Sequence, residues 1–83
     1  MDFNKRQENE KKFPNCEELS DGSKMYWYEI EGRMGWKARY LKKVDGNDVT
    51  LSFWQEIYDE KGVLVEIHEK YPVDKGHIKI EKQ

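Results

Sequence analysis

The sequence has one cysteine, Cys16, and so no internal disulfide framework. A lone thiol fits a reducing compartment, and with no histidine or lysine pair beside it Cys16 reads as a small, half-buried side chain rather than a nucleophile. No apolar run approaches the ~20 residues of a membrane span, and the N-terminus carries no signal-peptide pattern, so a cytoplasmic location is expected. An excess of one charge is also missing. Fifteen basic and 17 acidic residues leave a formal net charge of −2, which gives no general attraction to nucleic acid or to a membrane surface. There is no glycine-rich phosphate loop and no Ser-His-Asp or Cys-His arrangement. No catalytic residue is therefore assigned and no cofactor is expected.

What remains is a short chain of 83 residues, 36% hydrophobic, 39% charged and 13% aromatic. Disordered chains are poor in aromatics, so this composition describes a folded domain with a charged exterior. A domain of this size buries roughly 60% of its unfolded surface, which makes the core thin. Binding suits such a chain better than catalysis in a deep cleft.

Residues 1–23 differ from the rest. MDFNKRQENEKK has no apolar stripe and is expected to be flexible or to form a short helix. Pro14 ends any helix, and Ser20-Asp21-Gly22-Ser23 is loop chemistry. Residues 24–82 form the expected β domain. Period-two patterning predicts strands over 24–31, 36–44, 49–58, 63–71 and 77–81. Asp45-Gly46-Asn47-Asp48 and Asp59-Glu60-Lys61-Gly62 supply hairpin turns, the second a type I turn closed by a left-handed glycine. The fold class is thus mainly β: one antiparallel meander of four to five twisted strands, open or curled into a partial barrel.

Pairing apolar positions sets a register. Placing Val44 opposite Val49 puts Tyr40 by Phe53, Trp36 by Ile57, Lys37 by Glu56 and Arg39 by Trp54. Placing Asp59 opposite Val63 puts Ile57 by Val65 and Trp54 by His68. One face then stays apolar across three strands.

The other face does not read as plain solvent surface. Met25, Trp27, Leu41, Trp54, Tyr58, Leu64 and His68 are all assigned to it, together with Arg39. A contiguous apolar area of this kind calls for a cover or a partner. Phe3, Phe13 and Leu19 are the candidate cover. Without one, Trp27, Arg39, Trp54, Tyr58, Leu64 and His68 become the candidate binding residues, with another protein or a second copy as partner. Strand two's basic residues and stacking tryptophans also allow RNA, against which Glu29, Glu56 and Glu66 stand on the same face. A general acid/base role for His68 with Glu66, Arg39 and Tyr58 belongs to that alternative. His68 and His77 match no metal-ligand spacing, so no metal is expected.

Tyr58-Asp59-Glu60-Lys61-Gly62-Val63-Leu64 resembles one unit of the tyrosine–aspartate repeats of Rhs-type proteins, a likeness that implies a hairpin. GWKARYLKKVD, FWQEIYDEKGVLVEIHEKYP and VDKGH together resemble a compact family of small prokaryotic proteins, which implies no particular activity. The aspartate-glycine-histidine ending is similar to small toxin components of toxin–antitoxin pairs, with their histidine cluster reduced here to His77. The favoured reading is a non-enzymatic protein–protein interaction module. An RNA-binding or RNA-cleaving module is the alternative.

Overall fold

A computed structural model describes residues 3–74 and 76–80; the expected strand's last residue, Glu81, and the side chain of Phe3 lie outside the described residues. The chain runs α1 (Phe3–Lys12), β1 (Asn15–Glu18), β2 (Lys24–Glu31), β3 (Lys37–Val44), β4 (Thr50–Tyr58), β5 (Leu64–Tyr71) and β6 (Gly76–Lys79). All six strands form one antiparallel sheet in the order of the sequence. β1 and β6 remain its free edges, so the sheet is open rather than a partial barrel. The count exceeds four to five because Asn15–Glu18 pairs along β2 from Trp27 to Lys24. That segment is too short and polar for alternation to reveal it.

Three of the hairpins close with the same device. In Leu19–Ser23, Asp45–Val49 and Asp59–Val63 the first residue's N–H donates to the last residue's carbonyl, and the fourth residue takes a left-handed conformation. Gly22 and Gly62 do so freely, with φ of 88° and 78°. Asp48 occupies the same place at φ 59°, for a reason its carboxylate supplies. Asp45 and Asp59 each accept two backbone N–H bonds through Oδ1, which locks both turns.

These turns and three bulges set the register. Because Asp45 pairs with Val49, Val44 falls opposite Thr50, and an irregularity beside it brings Lys43 opposite Ser52. Tyr40 therefore faces Gln55 and Ala38 faces Ile57, two residues from the apolar-pairing expectation. A two-residue slip preserves the faces. In the next hairpin Asp59 does pair with Val63, and Tyr58 with Leu64. A bulge then shifts the pairing by one, so Ile57 faces Glu66, Glu56 faces Ile67 and Gln55 faces His68. One residue of slip sends each following side chain to the opposite face.

The first face carries the core. Phe13, Tyr26 and Val44 are the buried hydrophobic residues among those described, with Tyr28 and Phe53 packed against them. The Phe13 ring lies 5.9 Å from Tyr26, 5.3 Å from Tyr28 and 6.4 Å from Phe53, the last edge-on. Tyr28 stacks on Tyr40 at 4.9 Å. Helix α1 has almost no apolar residues of its own. It is held by an Arg6–Glu10 pair one turn apart and by Lys11 and Lys12 at its C-terminal end. The two residues after it complete the hold, since Phe13 anchors it to the sheet and Pro14 stops it. Lys12 and Lys42 lie over the Phe13 ring at 6.0 and 5.9 Å.

The remaining anchor is polar. Asp48 is buried, and its carboxylate accepts from Lys24 Nζ, Tyr26 Oη at 2.7 Å and Asn9 Nδ2 at 3.2 Å. Lys42 Nζ donates to Asn9 Oδ1 at 2.8 Å. One left-handed aspartate thus ties the helix to β2.

Candidate functional site

The second face is a lattice of cross-strand rows. Trp27, Leu41 and Trp54 make one row across β2, β3 and β4. The next row is Glu29, Arg39, Glu56, Ile67 and Ile78, and the third places Glu31, Lys37, Tyr58 and Leu64 side by side. Of the expected N-terminal cover, Phe13 packs on the first face instead. Trp27, Leu41, Trp54, Tyr58, Leu64 and Ile67 are each half-buried by their neighbours alone.

Five of the six candidate residues share this face: Trp27, Arg39, Trp54, Tyr58 and Leu64. His68 does not. The bulge after Leu64 turns it to the first face beside Gln55, and Trp54 is opposite Glu69. Ile67 and Ile78 take its place; hydrophobic alternation could not find them, since without the bulge Ile67 counts as core. Glu66 moves with His68, opposite Ile57 and Lys79.

The face's charges pair among themselves. Arg39 reaches Glu29 at 3.1 Å and Lys37 reaches the same carboxylate at 3.7 Å. Arg39's hydrogen bond is the main reason that the Glu29 carboxyl sits below its ordinary range. The Arg39 guanidinium lies 5.5 Å from the Tyr58 ring, in place of the expected contact with Trp54. Glu56 accepts from Trp54 Nε1 at 3.0 Å and from Tyr58 Oη at 2.6 Å. Burial, then the bond to Glu56, pushes the Tyr58 phenol up. An aromatic surface whose polar groups are already bonded loses little when water leaves it.

On the first face, β5 and β6 set His68 directly opposite His77. His68 Nδ1 is 3.1 Å from His77 Nε2, with the ring centroids 4.3 Å apart. The outer nitrogens meet carboxylates: His68 Nε2 with Asp74 at 2.6 Å, and His77 Nδ1 with Glu66 at 3.0 Å. Asp74 also accepts from Gly76 N, and that bond, ahead of His68, lowers its carboxyl below the usual range. Of the other members of the expected acid/base set, Glu66 meets His77 on this face, and Arg39 and Tyr58 are on the opposite one.

A cleft of about 480 Å³ opens between α1 and the sheet beside Lys12, Phe13, Lys42, Phe53 and Tyr71. On its wall Asn9 bonds both Lys42 and Asp48, and no buried side-chain polar atom among the described residues lacks a partner. Among the same residues no group of three or more His, Cys, Asp or Glu side chains is placed to enclose a metal ion. None of the described helices is long and apolar enough to cross a membrane. No protein-family profile, curated protein or solved structure matches the chain.

Proposed function

We propose that this protein is a protein–protein interaction module that binds through the Trp27–Leu41–Trp54 row and its neighbours Tyr58, Leu64 and Ile67. The observation that carries this reading is the second face itself: large aromatic and aliphatic side chains in register across the sheet, interleaved with Arg39 paired to Glu29 and with Glu56, which accepts from Trp54 and Tyr58. Among the described residues three hydrophobic side chains are fully buried, so the core is thin, while Trp27, Leu41, Trp54, Tyr58, Leu64 and Ile67 are half-buried on this face, with Ile78 exposed beside them.

A second copy is the simplest occupant. Two such sheets can pack face to face about 10 Å apart, the arrangement of a β-sandwich. The internally paired charges present no block of one sign to repel an identical surface. An RNA partner finds less support, because Arg39 and Lys37 are engaged with Glu29.

The test is the solution mass of the chain over a dilution series, with capture from its native lysate, nuclease-treated, as the second arm. A mass of two chains, or a nuclease-resistant partner, supports the module. A monomer at high concentration that captures nothing overturns it, and capture lost on nuclease treatment replaces it with the RNA reading.

A further inference from the structure

We propose that His68 and His77 form a two-imidazole chelate for a divalent transition ion of the zinc class, on the first face where β5 meets β6. The site is independent of the interaction surface, which lies on the other side of the sheet.

Proton placement decides where the lone pairs lie. A neutral imidazole carries one N–H and one lone pair. Asp74 meets Nε2 of His68 and Glu66 meets Nδ1 of His77, and hydrogen bonds to carboxylates are about twice as strong as neutral ones. Each carboxylate therefore holds its ring's proton on the outer nitrogen. In that tautomer the lone pairs sit on His68 Nδ1 and His77 Nε2, two nitrogens 3.1 Å apart. Such a pair is completed by a proton or a metal ion shared between the two nitrogens.

With Zn–N bonds of 2.0–2.1 Å and tetrahedral angles, two ligating nitrogens stand about 3.3 Å apart, close to the 3.1 Å here, and the rings must also swing apart from their 4.3 Å centroid separation to about 5 Å so that both in-plane lone pairs meet the ion. The rings lie beside each other, tilted by 50°, rather than end to end.

The outer partners match as well. Metal-ligating histidines almost always give the other ring N–H to a carboxylate, carbonyl or water, which fixes tautomer and orientation. Both rings here are held in this way, by carboxylates. The remaining coordination positions go to water, making this an open, bidentate site of a different kind from a closed protein cage. Of the neighbouring cations, Lys70 lies over the Tyr40 and Phe53 rings at 5.4 and 5.9 Å, and Lys79 is exposed opposite Glu66. An ion held by His68 and His77 ties the four-residue edge strand β6 to β5.

The experiment is a titration of the untagged full chain with zinc chloride alone, read by calorimetry and by the imidazole NMR resonances. One ion per chain is expected, with both rings responding together. His68→Asn and His77→Asn each abolish this uptake. Asp74→Asn keeps both ligands and an acceptor for Gly76 N, and weakens binding about 10–100-fold. Glu66→Gln is expected to do the same and serves if a histidine variant fails to fold, as circular dichroism without metal will tell. Absence of uptake overturns the proposal. So does undiminished binding in either single histidine variant, which marks capture by one surface imidazole, or unchanged affinity in both Asp74→Asn and Glu66→Gln.

Discussion

The hydroxyl of Tyr26 donates a 2.7 Å hydrogen bond to Asp48, and both residues are at most 1% exposed. Around this pair Lys24 and Asn9 complete the carboxylate's shell. Asp48 is also the one hairpin residue of its kind that is not glycine, at φ 59°. The left-handed backbone aims the carboxylate under the helix. Replacing Asp48 by Asn keeps a residue that tolerates this backbone, removes the charge, and turns one of the two accepting oxygens into an amide donor. The expected loss is about 3 kcal/mol, the low end for breaking a buried pair, because Lys24 retains some access to water. Urea unfolding checks it. A loss below about 1 kcal/mol would mean that the ion pair contributes no more than a surface one.

The same network makes stability depend on pH. Burial raises the Asp48 carboxyl, but the bonds from Lys24, Tyr26 and Asn9 outweigh it, and the net shift is downward. A depressed carboxyl stabilises the fold above its unfolded pKa of about 3.9, and that contribution is lost as pH falls through the lower folded value. Tyr26 shifts the other way: burial and then Asp48 raise its phenol well above the ordinary value. Its contribution is complete below about 10 and shrinks as pH climbs toward the folded value. The difference in melting temperature between wild type and Asp48→Asn is therefore expected to close in acid. A gap that persists unchanged to the acid limit of the folded state would place the stabilisation elsewhere than in the charge.

The strands were legible because β-branched and aromatic residues run between the turn signals with a period of two, placing Tyr40, Val44, Phe53 and Ile57 on one face. Turn chemistry at Asp59–Gly62 was legible for the same local reason. Bulges were not, since nothing in Val63-Leu64-Val65-Glu66 announces that one residue drops out of pairing. That single irregularity moved His68 away from Trp54 and beside His77. The histidine pair was hidden for a related reason: eight residues separate the two rings, and only the Asp74 turn and the β5–β6 register bring them opposite. Nor does the sequence show that Asp48, in the loop motif DGND, points inward.

The β2–β3 hairpin carries a local conflict that can be relieved. Trp36 N donates to Arg33 O across Met34 and Gly35, whose φ values of 60° and 81° make a type I′ turn. Gly35 suits this turn; Met34, 89% exposed, gains nothing from packing there. Met34→Asn converts the tip to the favoured Asn-Gly pair. An increase in stability of about 0.5–1 kcal/mol is expected from chemical denaturation. No gain, or a loss, would show that the methionine is held by contacts that outweigh its backbone strain.

Trp54 separates a binding surface from a core. Its ring lies in the row between Leu41 and Glu69, and its Nε1 bonds Glu56 on the same strand, whereas the buried cluster of Phe13, Tyr26 and Val44 is on the other side of the sheet. Trp54→Ser therefore leaves that cluster intact and removes the largest apolar contact at the centre of the second face. Truncating such a central tryptophan typically costs about 2 kcal/mol or more of binding, so association is expected to weaken by a factor of about 30 or greater. Sedimentation over a dilution series measures that factor, and circular dichroism confirms that the sheet persists. Unchanged association with the sheet intact removes Trp54 from the interface. Unfolding of the dilute, monomeric chain would instead make the tryptophan row part of the core that holds the sheet together, and the interaction reading would fall with it.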